Sequence, residues 1–187
     1  AGTVAGEAAR AQYVYDPGCT GGGGAGGAGA DTPICRFRDA DGNGATGPGG
    51  LEEALFYTSD ANGNVTALVR SDGTVLERYM YDAYGQVHVL NGSASTGADP
   101  DGASPRNMAA WTLDPDNASD WDNELLFAGY RRDGETGLYQ VRHRYYHSIL
   151  GSWTARDPAG FADGMNLTAY CGGNPIKSAY AITDGIM

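Results

Sequence analysis

Short runs of alternating apolar and polar residues, separated by turns that contain glycine and aspartate, recur along the chain and predict strands. The clearest run is VTALVRSDGTVLERYMY (65–81), in which both halves alternate and no helical period appears. Asp72-Gly73 lies between the two halves, and this dipeptide favours a tight type I′ turn. We therefore predict an antiparallel hairpin with the following residues on shared faces: Val65, Ala67 and Val69 in the first strand, and Val75, Glu77, Tyr79 and Tyr81 in the second.

A repeated turn motif accompanies these strands. DANG (60–63) and DAYG (82–85) each follow a tyrosine-bearing run, and YVYDPG (13–18) is similar. A repeat of roughly 20 residues, made of one strand and one turn, cannot bury its own face and must stack on its neighbours. The repeat therefore predicts a stacked all-β array.

The segment LYQVRHRYYH (138–147) also alternates and is predicted to form one continuous strand with large side chains on both faces. Arginines beside aromatic rings favour cation–π stacking within a sheet over a ligand site. On such a strand His143 and His147 would lie about 13 Å apart, too far to share a metal ion.

Two stretches interrupt the strand pattern. TGGGGAGGAGA (20–30) is predicted to be a surface loop or linker, and 91–120 a flexible excursion rich in turn formers. We therefore divide the chain into an N-terminal segment with glycine-rich and acidic turns (1–50), repeat strands (51–123) and a C-terminal domain (124–187).

Charge narrows the classes of partner. The chain has 23 Asp and Glu against 12 Lys and Arg, a formal net charge of -11. Such a chain repels phosphate backbones and anionic lipid, so we predict no nucleic-acid partner. It contains no apolar run of about 18 residues, which predicts no membrane span. Because it starts without Met or a signal sequence, we expect a processed, extracellular or cell-surface protein.

The acidic turn DADGNG (39–44) is a candidate metal site. Asp39, Asp41 and Asn43 alternate and precede Gly44, as in the first half of a Ca²⁺-binding loop. The twelfth position of such a loop is acidic, whereas this chain has Gly50 there. The alternative is a solvated turn without a metal.

Cysteines and glycosylation sequons leave alternatives open. Cys19 and Cys35 flank the glycine tract and could form a disulfide, or all three cysteines, including Cys171, could be free thiols. Four Asn-x-Ser/Thr sequons fit a secreted protein but also arise by chance: Asn64, Asn91, Asn117 and Asn166.

The segment GYRRDGETGLYQVRHRYYHSILGSWTARDPAGFADGMNLTAYCGGNP (129–175) closely resembles the Rhs repeat-associated core domain. YTSDANGNVTALV and ERYMYDAYGQV resemble the YD repeats that precede that domain. The resemblance implies an antiparallel β-spiral, wound into a shell that the core domain closes. It also implies a large secreted or surface-associated bacterial protein, in many cases enclosing a toxin.

The resemblance further implies a self-cleavage site, in which an arginine and two aspartates act after the core motif. These positions carry over to Arg144 and Asp157, but the second aspartate position is Tyr180. Asp184 could take its place. Because two carboxylates that share a proton are needed, we expect no enzyme activity, with aspartyl self-cleavage as the alternative.

A chain of 187 residues is too short to enclose a toxin, and a few repeats leave open sheet edges that can pair with further strands. We therefore predict a secreted structural protein that assembles head to tail into a filament or shell, with Ca²⁺ as its one candidate cofactor. Its partners would be copies of itself or the rest of a longer Rhs chain. The alternatives are a terminal, self-cleaving segment of a toxin-enclosing shell and a cell-surface adhesion module.

Overall fold

The computed structural model describes residues 11–15, 32–39, 51, 53–92, 111–158 and 160–175. In these residues the chain forms two antiparallel sheets, so the predicted all-β fold is confirmed. In chain order the strands are β1 (Ala11–Tyr15), β2 (Pro33–Arg38), β3 (Glu53–Ser59), β4 (Val65–Arg70), β5 (Val75–Tyr81), β6 (Val87–Gly92), β7 (Trp111–Leu113), β8 (Arg131–Arg132), β9 (Tyr139–Val141), β10 (Arg144–His147) and β11 (Ser152–Trp153). Short 3₁₀ turns occupy Phe127–Gly129, Gly160–Asp163 and Cys171–Gly173.

The larger sheet is a meander in which β1 to β7 pair in chain order. The predicted hairpin over 65–81 is confirmed as β4 and β5. Its turn differs from the predicted type I′ turn, because Gly73 (φ +88°) has a positive φ and Asp72 does not. The Arg70 carbonyl accepts from the Gly73 N–H at 2.9 Å, which makes a three-residue loop ending in a left-handed glycine.

The repeat unit is larger than predicted. Between the turns at 60–63 and 82–85 lie two strands, β4 and β5, rather than one. The prediction of one strand and one turn per repeat is therefore wrong, because the further turn at Asp72-Gly73, which lacks the Asp-Ala-x-Gly motif, divides this unit into a hairpin.

One face of the larger sheet is buried against the rest of the chain. Paired positions on this face include Tyr57 opposite Leu68, and Leu68 opposite Glu77. On the other face Phe56 and Met80 are exposed. β1 and β2, from the predicted N-terminal segment, pair into this same sheet, whereas the glycine tract lies outside the described residues.

The smaller sheet has the order β11-β10-β9-β8. The prediction of one continuous strand over 138–147 is wrong, because a two-residue loop at Arg142 (φ +47°) and His143 separates β9 from β10. Tyr139 pairs with Tyr146 across this hairpin. Every position from 142 to 146 carries a large side chain. The pattern of apolar and polar residues therefore does not show that the chain reverses direction at the loop. The distance estimated between the two histidines therefore does not apply.

The hydrophobic core lies between the two sheets. Its buried members come from both: Leu55, Tyr57, Val65, Leu68, Leu76, Tyr79, Val87 and Val89 from the larger sheet, and Tyr139, Val141, Tyr146 and Trp153 from the smaller one, with Leu125, Leu126, Phe127, Tyr130 and Tyr170 from connecting segments. Residues 111–120, within the predicted excursion, form β7 and a segment laid on the larger sheet.

Candidate functional site: the junction of the two sheets

The junction is built from repeat turns that share one construction. In each turn the first aspartate carboxylate accepts hydrogen bonds from the backbone N–H groups two and four residues further on. For Asp60 these N–H groups belong to Asn62 (2.8 Å) and Asn64 (3.0 Å). For Asp82 they belong to Tyr84 (2.9 Å) and Gln86 (2.8 Å). Each turn is therefore supported by hydrogen bonds within the turn itself, in addition to its contacts across the junction.

The Asp82 turn lies directly on the smaller sheet. Tyr139 Oη donates to the Gly85 carbonyl at 3.0 Å, and Tyr146 Oη donates to the Tyr84 carbonyl at 2.7 Å. The ring of Phe127 covers Gly85, where an added Cβ would come within 2.4 Å of it. Burial raises the pKa of both tyrosine hydroxyls, so they stay protonated and able to donate.

The Asp60 turn contacts the 3₁₀ segment instead of the smaller sheet. Asn64 is 8% exposed and its Oδ1 accepts from the Ala128 N–H at 2.9 Å. The Val65 N–H donates to the Leu126 carbonyl at 3.1 Å. Successive repeat turns thus have different partners.

A second part of the junction is a buried carboxylate on β5. Glu77 is fully buried and accepts from Ser119 Oγ (2.6 Å), the Asp120 N–H (2.6 Å) and Tyr79 Oη (2.5 Å). Burial raises the pKa of Glu77, and these hydrogen bonds oppose the rise. Glu77 thereby holds the segment that connects the two sheets.

An arginine and a tryptophan complete this attachment. Arg36 is 2% exposed, and its Nη atoms donate to the carbonyl oxygens of Trp121 and Asp122. Two further guanidinium groups lie over the Trp121 ring, with Arg38 Cζ 5.0 Å and Arg70 Cζ 5.3 Å from the ring centroid. We call Glu77, Arg36, Arg38, Arg70 and residues 119–122 the clasp.

Of the predicted catalytic residues, the structure brings Arg144 and Asp157 together. Arg144 Nη1 lies 3.0 Å from Asp157 Oδ2, and the Arg144 guanidinium stacks 4.1 Å from the Trp153 ring centroid. The predicted stacking of arginine on rings within this sheet is confirmed. Because Tyr180 and Asp184 lie outside the described residues, a catalytic role for Arg144, Asp157 and Asp184 stays a prediction.

The candidate calcium site also stays a prediction. Asp39 follows β2, whereas Asp41 and Asn43 lie outside the described residues. Within the part of the chain that the structure describes, no group of three or more His, Cys, Asp or Glu side chains is placed to hold a metal ion.

Cys35 is buried on β2, and because its predicted partner Cys19 lies outside the described residues, the Cys19–Cys35 disulfide stays a prediction. Glycosylation of the sequons stays a prediction, but three of the four asparagine Nδ2 atoms already donate within the fold. These are Asn64 to Asp60 (2.8 Å), Asn91 to Asp114 (2.5 Å) and Asp120 (3.0 Å), and Asn117 to the Val87 carbonyl (2.9 Å), whereas Asn166 is exposed.

The clasp was missed at the level of sequence, although one signal for it exists. Glu77 stands on the predicted face that also carries Val75 and Tyr79, and a buried carboxylate there must have donors. The identity of those donors, Ser119 and the Asp120 N–H, has no local signal because they lie 42 and 43 positions away.

No family model matches the chain. It is 32% identical over 127 residues to the tRNA3(Ser)-specific nuclease WapA of Bacillus spizizenii, across 66% of this chain and 4% of that protein. It is 30% identical over 128 residues to the probable deoxyribonuclease RhsA of Dickeya dadantii, across 68% of this chain and 7% of that protein. The chain thus spans less than a tenth of these relatives.

The crystal structure of TcdB2-TccC3 without its hypervariable C-terminal region has a similar fold. The TM-score is 0.54 at 22% identity, and the match covers 83% of this chain and 6% of that one. The chain is also 43% identical over 53 residues to the toxin subunit YenC2 of Yersinia entomophaga, across 28% of this chain and 5% of that protein. Because the similar proteins are named as nucleases and a toxin subunit, the prediction of a self-assembling structural filament is wrong. The chain is related to the Rhs-type toxin proteins of bacteria.

Proposed function

We propose that this chain is the closing part of the β-shell of a larger Rhs-type toxin protein, with residues 129–175 as its repeat-associated core domain. In this proposal it is a carrier segment and does not perform the nuclease reaction named for its relatives. The protein would act outside the producing cell or at its surface, and its partner would be the rest of its own longer chain.

The observation that supports this proposal is the junction itself. A meander of repeat hairpins ends against a second sheet, and its turn at 82–85 is bound there through the backbone carbonyls of Gly85 and Tyr84. The polar side chains that a nuclease site would need are engaged in structural contacts at this place, as Glu77 and Arg36 show. A net charge of -11 also opposes binding of a phosphate backbone.

The edge of the larger sheet supports a continuation of the shell. β1 is the edge strand of this sheet among the described strands. Edge strands present backbone N–H and C=O groups that pair with another strand. In a longer repeat protein, the preceding repeat would pair there.

Two measurements test the proposal. The purified chain is incubated with tRNA and with duplex DNA in the presence of Mg²⁺, and we expect neither cleavage nor salt-sensitive binding by fluorescence anisotropy. Cleavage by the chain would contradict the carrier function. In the second arm, the preceding repeats of the parent gene are added before residue 1, and we expect a higher Tm because β1 gains a partner. An unchanged Tm would argue against a continued sheet.

A further inference from the structure

The repeat turn at 82–85 packs against a surface formed by the smaller sheet and the segments beside it. This surface, the turn pocket, consists of Phe127, Tyr139, Tyr146, Gly151 and Gly173. It contacts the turn at three places: the backbone carbonyls of residues 84 and 85, the Tyr84 side chain, and the Cα of Gly85.

We propose that the turn pocket is a recognition site for one turn sequence, Asp-x-Tyr-Gly, and that it selects which hairpin of a repeat array closes onto the second sheet. The selectivity is derived from the contacts of the turn alone. Its consequence for a longer chain rests on the proposed function.

The fourth position of the turn must be glycine for two separate reasons. Gly85 has φ +82°, a conformation that costs an L-residue about 1–2 kcal/mol. In addition, a Cβ at this position would lie 2.4–2.7 Å from three atoms of the Phe127 ring. The glycines of two other turns in the larger sheet have only the first constraint: nothing lies within 4 Å of an added Cβ at Gly73, and the nearest atom at Gly63 is 3.9 Å away.

The third position must carry a long planar side chain with a hydroxyl. The Tyr84 ring packs on Gly151, where an added Cβ would approach it to 2.7 Å, and Tyr84 Oη donates to the Gly173 carbonyl at 3.2 Å. The turn at 60–63 has Asn62 at this position, and Asn62 is exposed. The two turns otherwise share Asp-Ala at their first two positions, so the third residue is what distinguishes them.

The hydroxyls of Tyr139 and Tyr146 bind the backbone of the turn, whereas the Phe127 ring restricts the side chain at its fourth position. The two hydroxyls donate to the carbonyl oxygens of residues 84 and 85, in a turn whose conformation is supported by the Asp82 carboxylate. Recognition therefore combines a backbone shape with a glycine and a tyrosine.

The experiment compares pairs of glycine-to-alanine variants of the full chain by thermal unfolding. The two glycines of each pair have similar positive φ angles and differ in whether a neighbouring ring lies close to an added Cβ. Gly73→Ala (φ +88°) is expected to lower the Tm by about 2–8 °C, from backbone strain alone. Gly85→Ala is expected to lower it at least twice as far. On the pocket side, Gly151→Ala (φ +61°) is compared in the same way with Gly160→Ala (φ +68°), which has open space around it. Equal shifts within both pairs would overturn the proposal.

A milder series keeps the test valid if Gly85→Ala fails to fold. Tyr84→Asn gives the turn the same sequence as the turn at 60–63, and we expect a clear loss of Tm. The reciprocal control, Asn62→Tyr, is expected to leave the Tm within about 2 °C because its site is exposed. Equal effects of Tyr84→Asn and Asn62→Tyr would overturn selectivity at the third position.

A double variant tests whether the Phe127 ring is the cause. The Tm loss from Gly85→Ala should be smaller in a Phe127→Leu background than in the natural chain, because the overlap is removed. Additive losses would place the cause elsewhere. These unfolding results do not depend on nuclease or binding assays, so selectivity and the proposed carrier function can fail separately.

Discussion

The two attachments across the junction use different chemistry. On the larger sheet, the clasp joins Glu77 and Arg36 to the connecting segment through charged groups that are almost completely buried. On the smaller sheet, Tyr146 contacts a cluster of rings, with centroids 4.3 Å from Tyr170 and 5.5 Å from Trp153. One attachment depends on a few directional bonds, and the other on many contacts.

This difference predicts unequal tolerance of substitution. Removing one member of a buried polar network leaves its partners desolvated and unpaired, whereas a ring cluster loses area in proportion to what is removed. The clasp should therefore be sensitive to single atoms, and the ring cluster should tolerate loss of a polar atom. The following predictions test that contrast, in order of decreasing effect.

The largest effect is expected at Glu77. Glu77→Ala removes the acceptor of three hydrogen bonds, and we expect the free energy of unfolding to fall by about 3–5 kcal/mol in urea denaturation. Glu77→Gln is the control: its Oε1 can accept from the Asp120 N–H and its Nε2 can donate to Tyr79 Oη, whereas the Ser119 hydroxyl, which already accepts from the Trp121 and Asn123 N–H groups, loses its own acceptor. A loss of about 1–2 kcal/mol, smaller than that of Glu77→Ala, is expected for Gln. Equal losses for Ala and Gln would contradict the clasp.

A smaller effect is expected from removing one hydroxyl in the ring cluster. Tyr146→Phe loses the bond to the Tyr84 carbonyl but keeps the ring contacts, so the free energy of unfolding should fall by about 0.5–1.5 kcal/mol. The neighbouring Tyr145 is 48% exposed, and Tyr145→Phe should leave stability unchanged. Urea unfolding of the two variants measures the difference. A loss as large as that of Glu77→Ala would remove the contrast between the two attachments.

The elements that sequence predicts well are the ones with local signals. Alternation and Asp72-Gly73 are enough for the β4–β5 hairpin, and the repeated Asp-Ala-x-Gly motif locates two turns. The loop at Arg142 escapes prediction because large side chains on every neighbouring position hide the change of face.

The clasp escapes prediction for another reason. Arg36 and Asp122 lie 86 positions apart, and neither has a sequence pattern that marks the other as a partner. The stacked arginine at Arg144 was predictable from its surroundings, since Trp153 lies in the same motif. Contacts within one hairpin are thus accessible to pattern analysis, and contacts that depend on how two sheets meet are not.

A third prediction concerns the exposed side of the clasp. Arg70 lies over Trp121 and 3.4 Å from Glu53, with 37% of its side chain exposed. Arg70→Met should cost about 0.5–1 kcal/mol. The cost should shrink in a Trp121→Leu background, as measured by a double-mutant cycle. Arg131→Met removes a more exposed ion pair, so its smaller cost should vanish at high salt. Identical salt dependence of the two variants would contradict a ring contribution at Arg70.

The smallest effect is a pH dependence that separates the two attachments, because the clasp contains an acid of altered pKa and the ring cluster does not titrate at ordinary pH. Burial raises the pKa of Glu77 above its ordinary value of 4.5, so the folded chain binds this proton more tightly than the unfolded chain. The corresponding stability is fully present below pH 4.5 and is lost as pH rises through the folded pKa.

The lowered pKa values of Asp72 and Asp133 act in the opposite direction and are common to all variants. The natural chain should therefore lose stability relative to Glu77→Gln as pH rises from 4.5, whereas its difference from Tyr146→Phe should stay constant. Urea unfolding at a series of pH values measures both differences. A constant difference between the natural chain and Glu77→Gln would mean that the clasp carboxylate titrates alike in the folded and unfolded chain, which its complete burial opposes.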